Sequence, residues 1–131
     1  MKFMMMMNAA GRAGRDHQIN NWSPDDFKAH IAFMHAHNTQ LKDAGEFVDA
    51  QGLTPPGQAK LVRAGAKGEP ITDGPFAETK EFLAGYWIIA VDSADRAYAL
   101  AARVSAAPGP GGKPLNMGIE VRQIMDGPPP A

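Results

Sequence analysis

A corner near the middle of the chain carries the residue types best suited to chemistry. Thr72-Asp73-Gly74-Pro75-Phe76-Ala77-Glu78-Thr79-Lys80-Glu81 makes a tight Asp-Gly-Pro turn, adds three further charges, and runs into the most apolar segment, Phe82 to Val91. Asp bonds its own downstream backbone, Gly permits positive φ, and Pro fixes φ at about −65°. Asp73 is therefore either an Asx-turn residue that shapes the corner or a carboxylate at a pocket mouth, acting as a general base. Glu81 and His37 are the other candidates for proton transfer. Glu78 and Lys80 read as ligand-binding candidates together with Arg63, Glu120 and Arg122. Such charges, if a small sheet brings them together, form either an ion network or an anion pocket, and a bidentate guanidinium such as that of Arg122 suits a carboxylate. The plainer alternative is a solvated charged face worth at most about 1 kcal/mol per pair.

Metal chemistry finds little support. Two ligands on one helix need a spacing of three or four residues, whereas His30, His35 and His37 are separated by five and two. His30 and His37 are better read as packing or surface histidines, with single acid/base use as the alternative. Pro108-Gly109-Pro110-Gly111-Gly112 is a linker rather than a phosphate cradle, because no Lys-Ser/Thr opens a helix after it. Neither a metal nor an organic cofactor is expected.

Composition narrows the partners. The 131 residues suit one domain, here residues 1–126 with a frayed tail at 127–131, large enough to bury about two-thirds of its unfolded surface. Thirteen basic and fourteen acidic residues give a net charge of −1, which leaves no electrostatic footprint for nucleic acid or an anionic membrane. No apolar run approaches the roughly 20 residues of a spanning helix. There are no cysteines, so disulfides and thiolate chemistry are excluded and a cytoplasmic setting is expected. A small organic molecule is the expected partner.

These residues need elements to hold them. Phe3 to Met7 reads as a strand apolar on both faces, and residues 8–22 as a long loop. Ser23-Pro24-Asp25-Asp26 opens a helix that Gly45 closes, with Phe27, Ile31, Met34, Asn38 and Leu41 on its buried face and the histidines on the shoulders. Strands follow at 46–53, 59–64 and 83–91; the last is apolar on both faces. Ser93 caps a second helix with Ala97, Leu100, Ala101 and Val104 as its stripe, and 117–124 alternates as a final strand.

Strand, helix, two or three strands, helix, strand is the order of an α+β, ferredoxin-like subunit: a mostly antiparallel sheet with two helices on one face. Two helices leave the other face uncovered, and its apolar area exceeds what soluble monomers normally expose. A homodimer packed sheet against sheet, with a cavity between, is expected.

Asp73 to Glu81, followed by Ala84-Gly85-Tyr86, resembles the signature of the DGPF branch of the YCII-related proteins. Met1-Lys2-Phe3-Met4-Met5 resembles the family's opening strand, Asn38-x-x-Leu41-x-x-Ala44-Gly45 the close of its first helix, and Gly118-Ile119-Glu120-Val121-Arg122-Gln123-Ile124 its last strand. The resemblance implies a ferredoxin-like subunit in a dimeric α+β barrel. More distant relatives are thought to use a His and Asp pair in acid/base or lyase-type chemistry on small molecules; counting back from Gly45 puts that His at Met34, or between His35 and His37. Two functions follow: acid/base chemistry on a small organic molecule in a dimer pocket, or a non-catalytic ligand-binding or interaction module, since DGPF relatives often lie beside alternative sigma factors.

Overall fold

A computed structural model describes residues 1–10, 22–74 and 81–128. Its elements are β1 (Lys2–Ala10), α1 (Pro24–Asp43), β2 (Phe47–Gly52), β3 (Leu61–Ala64), β4 (Pro70–Asp73), β5 (Glu81–Ala90), α2 (Ala94–Ser105) and β6 (Ile119–Gln123). The main sheet has the order β2-β5-β1-β6, antiparallel at every contact. Strand–helix–strand units thus straddle a central pair, the ferredoxin-like arrangement. β3 and β4 form a separate two-stranded sheet.

Local chemistry accounts for the helix ends. Ser23 is the N-cap of α1, its hydroxyl accepting from the Asp26 N–H at 3.2 Å, with Pro24 at the first helical position. Gly45 follows with φ +72°, the left-handed conformation that ends helices. Ser93 caps α2 through the Arg96 N–H at 3.1 Å. β1 extends to Ala10, so residues 8–10 belong to a strand and not to the expected loop: Asn8, Ala9 and Ala10 find ladder partners in Leu83, Phe82 and Glu81. Residues 11–21 of that loop lie outside the described residues.

The core lies between the helices and one sheet face. Phe3, Met5, Trp87, Ile89 and Val91 from the sheet pack against Leu41 of α1 and Ala97, Leu100, Ala101 and Val104 of α2. Strand alternation puts Met4, Met6, Tyr86 and Ile88 on the opposite face, which neither helix covers. In α1 the buried residues are His30, His37 and Leu41, whereas Phe27 is 43% exposed. The histidines therefore occupy the centre of the buried face and not its shoulders. Their polar atoms are accommodated from a distance: His30 Nδ1 donates to the Pro108 carbonyl at 2.9 Å, and Arg103 Nε donates to His37 Nδ1 at 3.1 Å.

Candidate functional site on the open sheet face

Two positions set how β2 meets β5 before any charge is considered. At Gly85 a Cβ would stand 2.9 Å from the Gln51 carbonyl oxygen, so only glycine fits without a backbone shift. In β2, Phe47 pairs with Ile89 and Asp49 with Ile88, a bulge that leaves Val48 as the extra residue. Partners in a ladder share a face. Phe47 is thereby turned toward the core and Asp49 toward the open face, two positions that an unbroken strand would place on the same side.

The register then sets out the face in rows. One row runs Arg122, Met4, Ile88, Asp49, and the next Glu120, Met6, Tyr86, Gln51. The centre is an apolar, partly buried strip, and the margins are polar. Asp49 accepts from the Tyr86 hydroxyl at 3.4 Å and from Gln51 Nε2 at 3.2 Å. Glu120 and Arg122 on β6 are exposed. At about 4.8 Å per strand, Tyr86 and Glu120 stand about 10 Å apart across the sheet, and Arg122 and Asp49 about 14 Å. The rows thus set methionine and isoleucine at the centre, with a guanidinium toward one margin and a phenol–carboxylate pair toward the other.

The remaining candidates are dispersed. Asp73 ends β4 and faces Arg63 across the hairpin at 3.7 Å, both side chains largely exposed. This pair is worth no more than about 1 kcal/mol. Gly74, next in the corner, has φ +145°, and a Cβ there would meet the Ala59 carbonyl oxygen at 2.6 Å, so glycine is required twice over. Glu81, exposed, is the first residue of β5 and pairs with Ala10. Residues 75–80, including Glu78 and Lys80, lie outside the described residues.

His37 is on the other side of the sheet, within the helix layer. It is 2% exposed. Its ring lies parallel to Phe33, 6.3 Å between centroids, and perpendicular to Trp87 at 5.6 Å. Burial, with the Arg103 charge as the smaller cause, lowers its pKa from 6.5 to about 4. Because Nδ1 accepts from Arg103, the neutral ring carries its proton on Nε2, which has no hydrogen-bond partner among the described residues. Beside it, Trp87 Nε1 donates to Asn38 Oδ1 at 2.8 Å. Farther along α2, Arg96 binds Glu46 in bidentate fashion at 2.8 and 2.9 Å, and this hydrogen bonding lowers the Glu46 pKa below its ordinary value. The geometry gives His37 a place in packing, and it gives Tyr86 and Asp49 a place on the open face. Sequence reading did not single out that pair, since only the bulge at Val48 brings it together.

Among the described residues, no group of three or more His, Asp or Glu side chains is placed to hold a metal ion. Nor is any helix among them long and apolar enough to cross a membrane.

Comparison with known proteins adds to this geometry. A model of the YCII-related domain matches residues 1–111, which takes in β1 through α2. An uncharacterized protein of Rhizobium meliloti (strain 1021) is 33% identical over 103 residues, 79% of either chain. The match to the YCII-related domain covers most of the chain, and the chain belongs to the YCII-related family.

Proposed function

We propose that the chain works as a homodimer, closing its open sheet face against that of a second copy, and that the space between the sheets holds a small organic molecule bearing a carboxylate. The observation that carries this reading is the row arrangement on the open face: an apolar strip of Met4, Met6 and Ile88 between Arg122 on β6 and the Tyr86–Asp49 pair on β5 and β2. Arg122 anchors the carboxylate through two parallel N–H bonds, with Glu120 two residues away on the same strand face. Tyr86 and Asp49 supply a proton donor and acceptor within reach of each other, suited to the acid/base chemistry of a lyase or isomerase. Asp73 and Glu81 enter this proposal as further carboxylates, and Glu78, Lys80 and Arg63 as charges of the same corner. The corner sequence also supports assignment to the DGPF branch of the family.

A thermal-shift screen of small mono- and dicarboxylic acids tests the reading. Ligands that raise the melting temperature of the wild type lose their effect in Arg122→Ala, while Tyr86→Phe still binds them. Ligands that stabilise Arg122→Ala as well as the wild type refute the placement. A second reading, a non-catalytic ligand-binding or interaction module, draws support from the Arg63–Asp73 pair, in which one charge of the corner is matched within the chain. Binding without turnover in the presence of Tyr86 and Asp49 favours that second reading.

A further inference from the structure

The β3–β4 hairpin takes no part in the site on the open face, and its surface is unlike that of a self-contained element. Every residue of both strands is exposed. Leu61, Val62 and Ile71 are 50%, 56% and 47% exposed. The ladder pairs Leu61 with Asp73 and Arg63 with Ile71, so Leu61 and Ile71 share one side of the ribbon and Val62 lies on the other. Both sides thus present apolar groups to water, in a two-stranded hairpin that is at best marginally stable alone. The exposure continues into β2, the edge strand from which the hairpin leaves, at Val48 (42%) and at Leu53 (49%) just beyond it.

We propose that the hairpin is an arm that packs against a second copy of this chain, carrying the sheet-to-sheet contact past the edge strand; this rests on the dimer of the proposed function. Area decides the occupant. The four paired strands, at about 3.4 Å per residue and 4.8 Å between strands, present a face of about 500 Å² in projection. A stable specific interface takes about 800 Å² from each partner. Projected area understates accessible area, so by this measure the sheet face alone is marginal, and further exposed apolar side chains on and just beyond its edge strand are those of Val48, Leu53 and the hairpin. An isologous dimer uses such an arm twice, once from each copy. β4 begins at Pro70, which has no N–H to offer, so this edge is blunted against adding a further strand and the arm acts through its side chains.

The test compares dimer dissociation constants of the 131-residue wild type and the triple variant Leu61→Lys, Val62→Lys, Ile71→Lys by sedimentation velocity across a dilution series. All three positions are exposed, and far-UV circular dichroism checks that the variant keeps its fold. The expected result is a dissociation constant at least tenfold higher in the variant. A change of less than threefold overturns the arm and leaves the sheet-face dimer standing. A wild type that sediments as a single chain at micromolar concentration overturns both. Hydrogen exchange gives an independent reading: amides of residues 61–64 and 71–73 exchange at least tenfold more slowly in concentrated than in dilute wild-type protein, and equal rates contradict the proposal.

Discussion

His37 makes acid stability a measurable consequence of the packing. The folded state holds its imidazole neutral, with a pKa of about 4 against an ordinary value of 6.5. Between these values the unfolded chain binds more protons than the folded one, so acid favours unfolding. The contribution is therefore complete above pH 6.5, declines through the window, and is lost below pH 4. Its full size is about 3 kcal/mol, of which about 2 kcal/mol is gone at pH 5. His37→Phe removes the titrating group while keeping an aromatic ring between Phe33 and Trp87, and Arg103, partly exposed, turns its guanidinium to water. Urea unfolding of wild type and variant at pH 7.5 and pH 5 isolates the effect, because the carboxylates titrate alike in both. The stability of the wild type relative to the variant should fall by about 2 kcal/mol on acidification. A difference constant to within about 0.5 kcal/mol, or a His37 imidazole titrating near its ordinary value by NMR, refutes the reasoning.

Other consequences concern single contacts. Asn38→Leu strips the acceptor from the indole N–H of Trp87, a residue only 6% exposed, and should cost about 1–3 kcal/mol in chemical denaturation; the Trp87 fluorescence maximum shifts as its surroundings change. Gly85→Ala forces β2 away from β5 at the Gln51 carbonyl and should cost about 1–3 kcal/mol, read as a lower melting temperature. Arg96→Ala leaves Glu46 without its guanidinium; since Arg96 is nearly half exposed, the loss should be about 1 kcal/mol or less, with the Glu46 carboxyl titrating nearer its ordinary value by NMR.

The parts of the fold that were legible in the sequence are those written locally. Ser23-Pro24 and Gly45 mark both ends of α1 because capping is a matter of the next three or four residues. Alternation in β5 separates Trp87 and Ile89 from Tyr86 and Ile88, but both faces are apolar, so which one is the core follows only from where the helices pack; the element order gives the antiparallel sheet with two helices. What was not legible depends on residues far apart in the chain. His30 and His37 look like shoulder positions until Pro108 and Arg103, 78 and 66 residues away, supply their hydrogen-bond partners. Asp49 looks like a member of the same strand face as Phe47 until the bulge at Val48 turns it toward Tyr86. Of the hairpin only a strand at 59–64 was expected; its second strand at Pro70–Asp73, and the separation of the pair from the main sheet, depend on tertiary structure. Of the corner charges, Asp73 and Arg63 meet across that hairpin, and Glu120 and Arg122 lie on the open face as their alternation in β6 indicated.

The central claim is that the open sheet face, with Ile88 at its middle, is where two copies meet around a ligand. Equilibrium sedimentation of wild type and Ile88→Arg at micromolar concentration tests this most directly. The account predicts a wild type at twice the 14.0 kDa chain mass and a folded Ile88→Arg variant at the single mass. A wild type at the single mass, or a variant that remains a dimer, contradicts it.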